Sequence, residues 1–192
     1  MFIFRKFFKT ETPAGFSLGE VLLAGFVLTV GLLSISALMA KSLKNSFENR
    51  DSIIAVELAQ EGVELVRNVR DNSFIADADG FAKFSGNKHC RIDYNDPINN
   101  LNCNSSLGVL SWYSLQYSNG FYEHSGGSGR FSRYLYVDYN GTNTATVRSF
   151  VYWGGGASGM FALADVGNNG TFTNCTVAKK CVYTEINLTN WK

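Results

Sequence analysis

Proline is nearly missing from this chain: Pro13 and Pro97 are the only two in 192 residues. No ring therefore removes a backbone N–H donor from the long stretch between them, and an uninterrupted helix is permitted there. Charge is missing from Val21 to Ala40, which holds no Asp, Glu, Lys or Arg. Histidine is scarce; His89 and His124 stand alone, and neither lies in a nucleophile or metal motif. The four cysteines form no C-x-x-C pair, which argues against a zinc knuckle. Gly154-Gly155-Gly156 lacks the Lys-Ser/Thr of a phosphate loop. Asp77-Ala78-Asp79-Gly80 opens like a calcium loop, but no glutamate follows at the required spacing, where Ser85-Gly86 stand, so it reads as a solvated turn. Lys179-Lys180 is a two-residue basic tip and reads as solvated. No catalytic residue, metal site or cofactor is expected, and the chain does not read as an enzyme.

Net charge excludes another class. The formal charge is +1, of which residues 1–15 supply +2 through Arg5, Lys6, Lys9 and Glu11, leaving −1 on the remainder. Nothing in that balance suggests a partner of nucleic acid.

What is present is organised around Gly15-Phe16-Ser17-Leu18-Gly19-Glu20 and the charge-free run after it. Twenty helical residues rise roughly 30 Å, the thickness of a bilayer's hydrocarbon core. Basic residues just before the run tend to stay on the cytoplasmic side. Glu20 is the odd feature, because an acidic side chain inside a membrane segment costs roughly 2.5–3.5 kcal/mol on the lenient insertion scale. An ordinary secretory signal would be cut after the apolar run, where Ser34-Ile35-Ser36-Ala37 is the nearest match. A plain single-pass anchor leaves Glu20 and Gly15-Phe16 as coincidences.

A short basic leader, then Gly, Phe, Ser, Leu, one residue, Glu and an apolar helix, resembles the prepilin signal of type IV pilins and type II secretion pseudopilins. The resemblance covers about residues 5–70. It implies cleavage after Gly15 by a membrane-embedded aspartic peptidase, N-methylation of the new terminus Phe16, and a docking role for Glu20 in assembly. Gly19 departs from the family, which usually has an apolar residue there, and so does the absence of a proline midway along the helix. Residues 1–15 are then a leader peptide and 16–40 a transmembrane and filament-core helix. The implied partners are other pilin subunits, the prepilin peptidase and methyltransferase, the inner-membrane assembly platform, and membrane lipid before assembly. The implied location is the cytoplasmic (inner) membrane, crossed once with the C-terminal domain outside, then an extracellular pilus or periplasmic pseudopilus. A pilin or minor pilin, a secretion pseudopilin, and a membrane-anchored or filament-tip adhesive module all fit this start. The tail offers only Asp165 and Glu185 for the carboxylate cluster common in major pseudopilins, which weighs against that member of the group.

Past Lys41 the pattern becomes amphipathic. Phe47, Ile54, Leu58, Gly62, Leu65, Val66 and Val69 recur at helical spacing, and Arg67 lies three residues after Glu64, within pairing reach. One helix is expected from Phe16 to Arg70, with 41–70 as its amphipathic part and Asp71-Asn72-Ser73 as its end. Residues 71–192 read as a β-rich head. The turn-rich stretch 71–109 is expected to wrap the sheet edge, with His89 as a loop neighbour of Cys90. Strands are expected at Leu110–Tyr117, Phe131–Tyr139, Thr144–Trp153, Met160–Val166 and Cys181–Leu188, with Asn140-Gly141 as a two-residue type I′ hairpin. Ser125 to Gly129 reads as a mobile loop. The fold class is α+β: a long N-terminal helix, membrane-spanning in its first half, packed on one face of a C-terminal sheet of four antiparallel strands.

Cys90, Cys103, Cys175 and Cys181 all lie beyond the apolar run, an even number suited to disulfides in an oxidising compartment. Of three connectivities the neighbours are favoured, Cys90–Cys103 and Cys175–Cys181. A loop of about a dozen residues so closed stabilises by roughly 3 kcal/mol in the chain-entropy model.

Overall fold

A computed structural model describes residues 15–76, 78–84, 86, 88–95, 101–106, 110–124, 129–139, 141, 143–154 and 175–190. Its contacts fall into two units, Met1–Phe47 and Glu48–Lys192. The helix α1, Leu18–Ile75, begins in the first and ends in the second.

In the first unit every described residue from Gly15 onward is exposed, including Leu22, Phe26, Leu33 and Leu38. This part of α1 is long and apolar enough to cross a membrane. Its hydroxyls do not need water: Thr29 Oγ1 donates to Phe26 O (2.8 Å), Ser34 Oγ to Val30 O (2.8 Å) and Ser36 Oγ to Leu32 O (2.9 Å). Such back-bonding satisfies a hydroxyl in a medium that offers no partner.

In the second unit the helix turns one stripe inward, through Ala55, Leu58, Ala59, Gly62, Val63, Val66 and Val69. Phe47, expected on that stripe, is exposed. Small residues let the backbone approach the sheet, while the Leu and Val side chains supply about 1.5–3 kcal/mol each on full burial. Arg67 and Glu64 form the expected pair at 2.7 Å on the outer face. There it is worth at most about 1 kcal/mol, so packing and not pairing holds the helix down. The helix continues past Arg70 because the residues read as its end find partners within it. Arg70 Nε donates to Asp71 Oδ1 (2.8 Å), and Ser73 Oγ donates to Val69 O (2.9 Å). Arg70 also reaches Thr189 O at 3.4 Å.

Among the described residues the sheet has seven antiparallel strands, more than the four expected. In chain order they are β1 His89–Arg91, β2 Asn102–Asn104, β3 Ser114–Ser118, β4 Phe121–His124, β5 Phe131–Tyr139, β6 Thr144–Trp153 and β7 Cys181–Thr189. β5 is central. β6 and then β7 lie along one edge; β1 joins the other edge at Leu135 and Tyr136, and β3 joins it at Phe131 and Ser132. β1 and β2 fall in the stretch expected to be loop: each is three residues long, too short to show alternation. The stretch read as a strand from Leu110 starts instead as a 3-10 turn, Leu110–Tyr113, and extends only from Ser114. The expected strand Met160–Val166, the loop residues 125–128 and Asn140 lie outside the described residues.

The two-residue type I′ turn sits elsewhere than expected. Ser118 pairs with Phe121, so Asn119-Gly120 makes the turn, with φ of 52° and 91°. Both values are positive, as type I′ requires. At the expected site Tyr139 pairs with Ala145, which leaves a longer connection than Asn140-Gly141 alone. On its other edge the same stretch is held to β7: Thr144 pairs with Thr189, and Asn143 O accepts the Asn190 N–H at 2.7 Å.

Both faces of β5 are buried, not one. Leu135, Val137 and Tyr139 pack with Val66 and Val69 on the helix side. On the far side Tyr134 and Tyr136 pack with Tyr113 and Phe150, partly covered by Trp112 and Cys175. The 3-10 turn carrying Trp112 and Tyr113 supplies that second layer.

Candidate assembly site and the buried charge network

Gly15 and Phe16 precede α1 without regular structure, and Phe16 is 81% exposed. Ser17 is the helix N-cap. Its Oγ accepts the Glu20 N–H at 3.3 Å, and its carbonyl accepts from Glu20 and Val21 at 3.0 and 3.2 Å. Ser17-Leu18-Gly19-Glu20 thus has the sequence of a capping box, S-x-x-E, with the serine half formed. Glu20, alone in the first turn, also faces the positive end of the helix dipole. This local role for Glu20 follows from the S-x-x-E spacing and is separate from its standing as a charge beside an apolar run. Gly15, Phe16 and Glu20 are accessible, and the described structure brings no other charged group onto them.

The cysteines pair Cys90–Cys103 and Cys175–Cys181, with no free cysteine. The first bridge joins facing residues of β1 and β2. The second closes a loop whose 3-10 turn, Val177–Lys179, ends at Lys180 in the left-handed region. Lys179 is exposed, as expected of a basic tip, whereas Lys180 is half-buried. Asp79 makes a turn: its Oδ1 accepts the Phe81 N–H at 3.0 Å and a hydrogen bond from Asn190 Nδ2 at 3.3 Å. Asp77 lies outside the described residues.

Sequence reasoning passed over a second constellation. Arg133 on β5 has a fully buried side chain beneath α1. Its guanidinium lies 3.2 Å from Glu61 Oε1 and donates to Ile92 O at 2.7 Å. Asp93 Oδ1 lies 3.9 Å from it and 2.5 Å from His124 Nδ1. His124 Nε2 in turn lies 3.1 Å from Arg133 O. Helix, sheet, hairpin and the segment after β1 meet at this one group. Burial alone would push the Asp93 carboxyl up, but the hydrogen bond and electrostatic pull of His124, with Arg133, hold it below the ordinary aspartate value. At the lower rim of the helix contact, Arg130 closes on the buried carboxylate of Asp51 through Nε at 3.0 Å. His89 is no loop neighbour; it is a buried β1 residue whose Nδ1 lies 2.8 Å from Tyr134 Oη. Burial first, then the cation of Lys88, push its imidazole below the ordinary histidine value. Arg133 and Asp51 carry charge into an apolar frame, which alternation patterns do not reveal.

No protein-family model matches the chain, and neither does any curated protein or solved structure.

Proposed function

We propose that the chain is a structural subunit of a type IV pilus or pilus-like filament, of the minor-pilin kind, cut after Gly15 and assembled through the first part of α1. One observation carries this reading: Glu20 is the sole charge from Phe16 to Ala40 of a fully exposed apolar helix, four residues beyond a Gly15-Phe16 bond that is itself accessible. A span that exposes Leu22, Phe26 and Leu33 to its surroundings needs lipid or other helices to cover it. Back-bonded Thr29, Ser34 and Ser36 suit either cover. Two disulfides in the head suit export to an oxidising compartment. The subunit then resides in the cytoplasmic membrane with its head outside, and passes into the filament.

Mass spectrometry of the mature N-terminus tests the reading. The expected terminus is N-methylated Phe16. A terminus still at Met1 favours a plain anchor, and one near Ala37 a secretory signal; either defeats the proposal.

A further inference from the structure

Three aromatic rings stand in the open at one end of the head: Tyr94, Tyr117 and Phe121 are 61%, 64% and 47% exposed. All lie on or against the β3–β4 hairpin. Tyr94 stacks on Phe121 with ring centroids 5.1 Å apart, and Tyr117 meets Tyr122 at the same distance. Exposed rings gathered around one turn mark an interaction surface.

Strand register fixes where that turn points. β5 and α1 run in the same sense, since Ala55 and Leu58 pack with Phe131 while Val66 and Val69 pack with Leu135 and Val137. β3 runs the other way. Its Leu115 pairs with Phe131, the first residue of β5, and Gln116, Tyr117 and Ser118 continue past it. Those residues and the Asn119-Gly120 turn overhang β5 by about 10–15 Å at strand rise. The overhang lies at the end of the head where α1 enters. Arg130 there binds Asp51, and Tyr122 is within electrostatic reach of Arg50, Asp51 and Arg130.

We infer that this hairpin is a foot that seats the head on the headgroup layer of the bilayer spanned by the apolar run, through Tyr94, Tyr117 and Phe121. The inference rests on α1 spanning a bilayer in its first part, as proposed. Magnitudes support it. Along α1, Leu58 stands about 27 Å beyond Ala40, the last residue of the charge-free run. The overhang takes up about half of that rise, and a headgroup layer of roughly 5–8 Å takes up more. The remainder is of the order of a tyrosine side chain's length. Tyrosine suits that depth, because its ring prefers apolar and its hydroxyl wet surroundings. Exposed Arg50 beside the hairpin suits lipid phosphate. A second protein is the rival cover; lipid is the one that the apolar run brings within reach.

Nitroxide labels test the inference in the full-length chain, at one chain per phosphatidylcholine nanodisc so that no second copy covers the hairpin. Single cysteines replace exposed Ser118 on the hairpin, exposed Thr144 at the opposite end of the β5–β6 pair, or exposed Leu33 in the apolar run. Collisions with oxygen report lipid, and collisions with a water-soluble nickel chelate report water. The Leu33 label is expected to meet oxygen and not chelate, and the Thr144 label the reverse. The Ser118 label should meet less chelate and more oxygen than the Thr144 label. In the triple variant Tyr94→Ser, Tyr117→Ser, Phe121→Ser it should return to the Thr144 values. A Leu33 label open to chelate defeats the spanning reading, and the inference with it. With Leu33 in lipid, a Ser118 label as wet as Thr144 overturns the foot alone. A Ser118 label shielded only when two chains share a disc means a protein cover, and also overturns it. A folded triple variant whose Ser118 label stays shielded overturns the role of the rings. If that variant does not fold, the comparison of Ser118 with Thr144 decides.

Discussion

Gly62 of α1 and Ser149 of β6 mark the closest approach of helix to sheet: a Cβ added at Gly62 would lie 2.5 Å from Ser149 Oγ. The same atom would meet Arg133 Cδ at 3.0 Å and Leu135 Cδ2 at 3.1 Å. Ser149 Oγ is buried and has no hydrogen-bond partner among the described residues. The small pair therefore sets how near the buried arginine comes to the helix, and with it the geometry of the network.

Gly62→Ala should lower head stability. Alanine improves helix propensity by roughly 0.8–1.0 kcal/mol. Overpacking a tight site costs about 1–3 kcal/mol, so the clash should win. Ser149→Ala alone should be close to neutral, since it deletes an unpaired hydroxyl, and combined with Gly62→Ala it should recover part of the loss. Thermal unfolding followed by near-ultraviolet circular dichroism checks this; a Gly62→Ala protein more stable than the wild type would show that the interface yields freely.

Of the fold, the sequence made the regular parts legible. β5 and β6 fall at their expected bounds because nine and ten residues give alternation room to register. The disulfide pairs follow from short loops. The second aromatic layer was hidden because Tyr134 and Tyr136 look the same whether wet or buried. Asn119-Gly120 and Asn140-Gly141 carry the same local turn signal, and the strand register around each, which that signal does not contain, sets the length of the connection. Of the candidate sites, Glu20 stands out by the absence of charge in the run after it, while Gly15 and Phe16 rest on the resemblance to a prepilin signal. Arg133, Asp93 and His124 come from three separate segments, and only the folded sheet joins them.

Removing the bridges should weaken the head unequally. Residues 13 apart are joined by Cys90–Cys103 and residues 6 apart by Cys175–Cys181. In the chain-entropy model these are worth roughly 3 and 2 kcal/mol. The double variant Cys90→Ala with Cys103→Ala should therefore lose more in denaturant midpoint than Cys175→Ala with Cys181→Ala. The reverse order would mean that the second bridge constrains more than its own loop.

Acid should destabilise the head in two steps. The folded His89 imidazole sits below its usual value of 6.5, so below that pH the unfolded chain takes up a proton that the folded chain refuses. Stability falls from about pH 6.5 downward until folded His89 is protonated as well. Asp93, held below 3.8, contributes stability that is present above that value and is lost as pH falls through its folded one. Melting temperature should decline in both windows. His89→Gln should flatten the upper one and leave the lower; an unchanged upper decline in that variant would remove His89 as its source.

Glu20 gives the decisive test of assembly. On the proposed pilin reading, cleavage after Gly15 would create an α-amine on Phe16, cationic after methylation, at the head of an apolar helix. In a bundle of such helices the amine leaves water, and an unpaired charge there costs several kcal/mol. Glu20 leaves water with it, so each needs the other, within one chain or between neighbours offset along the axis. The competing account is local, because Glu20 also sits in the first turn beside the Ser17 cap. Magnitudes separate the two. A carboxylate near a helix N-terminus is worth about 0.3–1 kcal/mol, too little to unmake a long helix. Losing the serine cap costs about 0.5–2 kcal/mol and removes no charge. Glu20→Gln should therefore be cut at Gly15 and remain in the membrane, yet be largely missing from sheared filaments by immunoblot. Ser17→Ala should be cut and should assemble nearly as the wild type does. If Glu20→Gln assembled normally with Phe16 methylated, charge pairing would not be what Glu20 does. If Ser17→Ala failed equally, the helix start would be the cause.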